Sequence, residues 1–334
     1  MEKFKVKVTV ANGDKGFYRQ LPGGMFEWKN YRFYINENIE EADYWVVCYQ
    51  KLPNCSERCY VSPNNTMFIT WEPDSVYHFS QGFLNQFSKV VSCQQKLKHR
   101  NLVQDQPGLA WHIGQIRNKN SVSYTKHYDD LKNIQPEKSK LISVISSNKA
   151  FTKGHRQRIE FVQKLKAHFG DQLDVFGRGI NDFEDKWDVI APYKYHICIE
   201  NCSIPYYWSE KLADSFLGNS YPFYYGCSNV FDYFDDNALR TIDINRPEMA
   251  IEIIENAIKD NVAEIYSDTI ENSKQLVLDK YNFFDLVVRN IQDMNPNATK
   301  CEYEIKQDME FFDIAKLPLY TSRLLSNFKY RFIK

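Results

Sequence analysis

The sequence contains no apolar run approaching the roughly 18 residues that a membrane-spanning helix needs, which excludes a transmembrane protein of that kind. It also has almost no net charge. At −1 over 334 residues it lacks the basic surface that phosphate-backbone binding demands, so nucleic acid is not its partner. It has no low-complexity segment, and its opening MEKFKVKVTV alternates like a strand instead of reading as a signal peptide. Metal-ligand spacing is missing too. Cys55 and Cys59, with Cys48 and Cys93 around them, could suggest zinc, but the spacing is irregular and no histidine accompanies them. The eight cysteines are scattered, several inside predicted strands, the pattern of reduced thiols in a cytosolic protein.

The composition that remains is globular, 43% hydrophobic and 25% charged. Aromatics reach 15%, with 22 Tyr and 23 Phe, a wealth that lines sugar sites and equally fills cores. The length suggests two domains. Residues 4–10, 31–34 and 44–49 read as strands, the last a continuous apolar run typical of a parallel sheet covered on both faces. Asn12-Gly13 and Pro22-Gly23-Gly24 mark turns or a loop. A buried strand over 67–71 delivers Glu72 at its carboxyl end, the edge at which open α/β sheets bind ligands. Asp74 is the nearby rival. Segments 90–91 and 108–114 complete this first set, with Trp111 and His112 as candidates to line a pocket.

Residues 118–138 are polar without apolar periodicity and read as a linker. The pattern then restarts with a strand over 141–147 and a polar loop at Ser146-Ser147-Asn148. An amphipathic helix over 155–169 follows, with Ile159, Val162, Leu165 and Phe169 roughly on one face. Arg156 and Arg158 fall in its predicted first turn, against the macrodipole preference, and an anionic ligand would supply a reason. A strand over 173–176 closes at Gly177. The stretch 195–226 is the densest in chemistry. It reads as a strand to Glu200, a loop, a helix capped by Ser209 with Leu212, Phe216 and Leu217 inward, and a strand over 221–225 ending at Gly226. That is half of a nucleotide-binding sheet. Its helix amino terminus suits phosphate, Lys211 adds a full positive charge, and Glu210 is an acceptor suited to sugar hydroxyls.

The same stretch carries a resemblance. Glu200-Asn201 followed by Tyr207-x-Ser209-Glu210-Lys211 resembles the donor-binding signature F-E-N-x5-Y-[IV]-T-E-K of the family 10 fucosyltransferases, with the spacing kept. YPFYYG is similar to that family's bacterial IPIYWG segment, and DVFGRG to its VDVFGR run. Ser209 stands in place of threonine, and Cys227-Ser228 in place of a proline-bearing turn. Arg158-Ile159-Glu160-Phe161 to Leu165 fits the family's R-x-x-[FY]-x-x-x-L, and TWEPDSVYHF resembles the segment bearing its catalytic glutamate.

The resemblance implies two doubly wound, Rossmann-like α/β domains facing a cleft, the glycosyltransferase B arrangement. The expected boundaries are an acceptor-binding domain over 1–117, the linker over 118–138, a donor-binding domain over 139–295 and a helical tail over 296–334. It further implies inverting transfer of fucose from GDP-fucose to a hydroxyl of a glycan, lipopolysaccharide O-antigen or Lewis-type, with Glu72 as general base. Arg158 and Lys211 fall to the diphosphate, Glu210 to a ribose, Phe176 to the base region, and Glu200, Asn201, Tyr207 and Ser209 to the remaining donor region. No metal or other cofactor is implied, and the sequence has no Asp-x-Asp motif of the kind metal-dependent sugar transferases use. Animal members carry an amino-terminal membrane helix, so the sequence points instead to a cytoplasmic, bacterial-type enzyme. From Lys316 onward the tail is basic and apolar with no acid; it suits contact with an anionic inner-membrane surface or packing on the first domain. A transferase using another nucleotide sugar, or a non-catalytic glycan- or nucleotide-binding protein, are the competing readings.

Overall fold

The structure is a computed structural model that describes residues 3–10, 15–48, 56–118, 121–146 and 153–311. The chain divides into two units, each assembled from separate pieces. The first comprises Met1–Asp14, Tyr31–Gln104 and Ile291–Lys334; the second comprises Lys15–Asn30 and Asp105–Asn290.

In the first unit a parallel sheet runs in the order Tyr31–Ile35, Phe4–Val10, Tyr44–Cys48, Thr66–Ile69, Lys89–Ser92, Leu102–Gln104. The two central strands, Tyr44–Cys48 and Thr66–Ile69, are buried at every residue because both of their faces are covered, and beside them Val6, Val8 and Val10 are buried too. On one face Phe68 packs against Phe79, Phe83 and Phe87, with ring centroids 4.8–5.2 Å apart. An antiparallel ladder of Glu57–Val61 with Cys301–Ile305 adds Cys59, Val61 and Ile305 to that core. Lys7 lies on the same strand as these valines yet is 4% exposed, and it is tolerated because Glu57 Oε2 pairs with its Nζ at 3.3 Å.

In the second unit the parallel order is Leu173–Phe176, Lys140–Ile145, Tyr193–Ile199, Tyr221–Tyr225, Arg240–Thr241. Helix Lys153–Phe169 makes the first crossover and turns Phe161, Val162, Leu165 and Phe169 inward. Helix Glu210–Leu217 makes the third and buries Leu212, Ala213, Phe216 and Leu217. From Lys140–Ile145 the chain moves to one neighbour, Leu173–Phe176, then returns to the other, Tyr193–Ile199. That reversal places a topological switch point at the carboxyl ends of the two inner strands.

The division departs from the boundaries read from composition. Residues 108–114 do not form a strand and belong to the second unit; Gly108 and Gly114 sit at φ 63° and 71°, in the left-handed region that ends extended backbone. The stretch expected as a linker also belongs there. Gln115–Arg117 pairs antiparallel with Val122–Tyr124, and helix Tyr128–Asn133 buries Tyr128 and Leu131. Two buried side chains in a six-residue helix are too few to register as periodicity. In the tail expected to be helical, Cys301–Ile305 is a strand of the first unit. Residues 262–279 form two helices, Val262–Ile265 and Ser267–Asp279. The loop at 147–148, the turn at 12–13, Cys55 and the basic stretch from 316 lie outside the described residues. Among the described residues no helix is long and apolar enough to cross a membrane.

Candidate active site

At the switch point of the second unit lies a cavity of about 580 Å³. The strand ends supply Ile145, Ile197, Cys198 and Ile199 to its wall, and the charged lining is Arg158, Arg178, Lys186, Glu210 and Lys211, with His112 beside them. This is where an open α/β sheet holds a ligand.

The wall is built from a buried carboxylate. Glu200 follows the Tyr193–Ile199 strand, is 2% exposed, and its Oε1 accepts from the Ser209 backbone N–H and Oγ, both at 2.8 Å. Ser209 in turn caps helix Glu210–Leu217, its Oγ accepting from the Lys211 N–H at 3.3 Å. Lys211 Nζ donates to Glu200 Oε2 at 3.1 Å and lies 3.4 Å from Glu210 Oε1. Burial opposes the Lys211 charge, but the Glu200 and Glu210 carboxylates outweigh it and raise its pKa well above the usual lysine value. Burial likewise pushes Glu210 up, yet Lys211, then His112 and Lys186, pull its carboxyl well below the usual range, so it is ionised.

A second carboxylate, Asp214, is fully buried inside the same helix. Its Oδ2 accepts from Lys186 Nζ at 2.6 Å, and its Oδ1 from the backbone N–H groups of His112 and Ile113, each at 3.0 Å. Asp185 caps helix Lys186–Ile190 and accepts from the Gly114 N–H at 2.7 Å and from Thr125 Oγ1 at 2.6 Å. Two acids thus fasten residues 112–114 to the helices that carry Lys186 and Lys211. His112 Nδ1 then stands 3.6 Å from Glu210 Oε1. Burial pushes its pKa down to about 4 against the pull of Glu210, so the ring is neutral at pH 7. Its side chain is still 37% open to solvent, which weakens any pH effect it carries. His196, 4% exposed and within 2.8 Å of Ser143 Oγ, is enclosed, and burial pushes it down to about 3.

The expected donor residues fall into two layers. Arg158, Glu210 and Lys211 line the cavity, while Glu200 and Ser209 stand behind them. Asn201 is exposed and accepts from Arg158 Nη1 at 3.3 Å. Helix Lys153–Phe169 starts earlier than its periodicity indicates, so Arg158 sits in the second turn and not the first. Tyr207 is buried, and Phe176 packs with Val189, Ile190 and Tyr193 in a core cluster. Trp111 is 1% exposed and is not a lining residue, whereas His112 is. The sequence pattern does not single out Lys186, Arg178 or Asp214. The one signal it holds for them is Asp214 itself, a charge set among the apolar positions of a predicted helix.

Glu72 belongs to the first unit, three residues beyond strand Thr66–Ile69, and is half-buried. Asp74 Oδ2 is engaged by the Gln95 N–H at 2.8 Å. Among the described residues no group of three or more His, Cys, Asp or Glu is placed to hold a metal ion.

Residues 135–244 match the family model described as Glycosyltransferase family 10 (fucosyltransferase) C-term. They form a family 10 glycosyltransferase domain. The match holds every donor residue named above, stops short of His112 and Glu72, and covers a third of the chain. No curated protein matches. Among solved structures, an alpha1,3-fucosyltransferase is 18% identical with TM-score 0.48, over 80% of this chain and 82% of that one. An alpha1,3-fucosyltransferase with GDP is 16% identical with TM-score 0.49, over 84% and 93%. Likenesses that loose decide nothing about activity.

Two outcomes follow from the buried charges. Asp214→Ala strands Lys186 and two backbone N–H groups, and should cost about 3–5 kcal/mol in chemical denaturation. Asp214→Asn keeps an acceptor oxygen and should lose less; a cost under about 1 kcal/mol for the alanine variant removes Asp214 as an anchor. For His196 the folded pKa lies below the unfolded value near 6.5. Its protonation therefore favours the unfolded chain: stability is intact above pH 6.5 and is lost as pH falls toward 3. Between pH 6 and 4, His196→Gln should flatten the decline of unfolding free energy by up to about 1.4 kcal/mol per pH unit. Identical slopes would mean that His196 does not titrate with unfolding.

Proposed function

We propose that this domain holds GDP-fucose in the switch-point cavity and that the chain transfers fucose to a glycan hydroxyl with inversion at the anomeric carbon. The observation that carries the donor half is the cationic lining of that cavity inside the family-matched stretch. Transfer breaks the bond between the anomeric carbon and the diphosphate oxygen, so negative charge grows on the leaving GDP. Cations fixed beforehand stabilise that charge without reorganising. Lys211 is such a cation, held between two carboxylates. Among the described residues Arg158 hydrogen-bonds the neutral Asn201 amide oxygen alone, which leaves most of its fork for phosphate oxygens. Glu210, kept ionised, can accept from the ribose hydroxyls.

In this reading Glu72 takes the proton from the acceptor hydroxyl as its oxygen attacks the face opposite GDP. The acceptor is a glycan of the O-antigen or Lewis type, and the reaction needs no metal.

The test is a thermal-shift panel. GDP at about 100 times its Kd should stabilise the protein by about 2.7 kcal/mol, with UDP, CMP and ADP far weaker at equal concentration. Equal stabilisation by UDP would overturn the donor assignment. Lys211→Ala should lower GDP release from GDP-fucose by roughly 10²–10³-fold, the usual effect of deleting one preorganised donor to developing charge. An unchanged rate removes Lys211 from the reaction.

A further inference from the structure

The loop that carries Glu72 is held by one buried side chain of its own unit. Gln94 is 1% exposed, and its Nε2 donates to two backbone carbonyls, Glu72 O and Tyr77 O, each at 2.9 Å. An amide nitrogen has two hydrogens, and both are used on the two ends of one loop. That arrangement fixes the amide orientation as well, since its oxygen could not face two carbonyls. Gln94 is itself immobilised. Its N–H donates to Ser92 Oγ at 3.0 Å, Ser92 Oγ lies 2.7 Å from Thr70 Oγ1, and Gln94 O accepts from Gln104 Nε2 at 3.2 Å.

Three further contacts complete the clamp. The turn closes on Pro73 O, which accepts from the Val76 N–H at 2.9 Å. Gln95, next in the chain, engages Asp74 Oδ2. At the far end the fully buried Asp308 accepts from Tyr77 Oη at 2.6 Å, from the Ser80 N–H at 2.9 Å and from Ser80 Oγ. The carbonyl of Glu72 is therefore pinned one bond from its Cα, while the rest of the loop is closed around it.

We propose that Gln94 is a positioning residue for transfer: by fixing the Glu72 backbone it fixes where the Glu72 carboxylate can reach. This rests on the reading of Glu72 as general base. A carboxylate that must meet a hydroxyl at hydrogen-bond distance is sensitive to displacement, and about 1 Å of misplacement can cost about 10²-fold in rate. Gln94 bonds the carbonyl of Glu72, whereas the Asp74 carboxylate is engaged by the Gln95 N–H.

The test is a double-mutant cycle on the full chain. It is read as GDP release from GDP-fucose, with N-acetyllactosamine as probe acceptor and with water alone, and as GDP Kd by calorimetry. Gln94→Met keeps length and volume but donates nothing. It should lower kcat by about 10–10²-fold with GDP Kd unchanged, and Glu72→Gln by about 10²–10⁴-fold. The decisive result is the double variant, which should be no slower than Glu72→Gln alone, because Gln94 acts only through that carboxylate. A double variant slower by the product of both effects, or Gln94→Met at wild-type kcat, overturns the proposal and leaves Glu72 as base. Wild-type turnover in Glu72→Gln overturns the base reading and Gln94 with it. Gln94→Asn, one methylene too short for both carbonyls, repeats the cycle if the methionine variant does not fold.

Discussion

The donor-side architecture depends on Glu200. An ionised carboxylate taken out of water costs several kcal/mol unless charge and hydrogen bonds replace the lost hydration. Glu200 receives both, from the Ser209 N–H and Oγ and from the Lys211 ammonium. All of these partners lie at the start of one helix, so satisfying the carboxylate fixes where that helix begins relative to the strand end. The neighbouring strand is held to the same geometry. The Glu200 N–H donates to Tyr225 O at 2.8 Å, and a Cβ on Gly226 would come within 2.5 Å of Glu200 Cγ. Glycine at 226 is thus a packing requirement of the buried Tyr224 ring and the buried acid together. Serine at 209 suits the same site, since its hydroxyl can donate to Glu200 and still accept from the Lys211 N–H.

The cavity is less positive than its lining suggests. Four cations line it, Arg158, Arg178, Lys186 and Lys211, with one carboxylate, Glu210. Glu200 and Asp214 stand directly behind, so four positive charges meet three negative ones. What remains is a fixed array of oriented donors more than a pool of free charge. Arg158 has a neutral partner, and among the described residues Arg178 makes no ion pair. The lysines are held by acids; in the proposed donor complex the arginines meet the diphosphate. Arginine suits that place because its fork meets phosphate oxygens in pairs while lysine acts as a point charge.

What the sequence showed and what it hid follow from how each feature is encoded. The strand at 193–199 and the capped helix at 210–217 are legible because apolar runs, a serine cap and a terminal glycine are local signals. Glu200, Glu210 and Lys211 are legible as a spaced motif, yet the motif does not say that one acid faces the cavity and the other stands behind it. Only the carboxylate's burial separates those roles. Lys186 and Asp214 are 28 residues apart and meet through tertiary packing, which no window on the sequence contains. The mixed pieces of each unit were hidden for the same reason: Cys301–Ile305 completes a ladder with a strand more than two hundred residues earlier, and no local pattern records its partner.

The segment 112–114 shows how a site can extend beyond its family-matched core. It has no regular structure of its own, and its backbone N–H groups would be orphaned if buried without acceptors. Asp214 and Asp185 supply those acceptors from two different helices. Gly114 meets a further limit: its φ is 71°, and any Cβ there would stand 2.6 Å from Lys126 Cβ, so no side chain fits. The segment is therefore held in place through its main chain, which leaves the His112 ring as the variable part. A neutral imidazole 3.6 Å from an ionised Glu210 neither cancels that carboxylate nor competes for Lys211. Glu210 is kept ionised chiefly by Lys211, whose ammonium lies 3.4 Å from its Oε1.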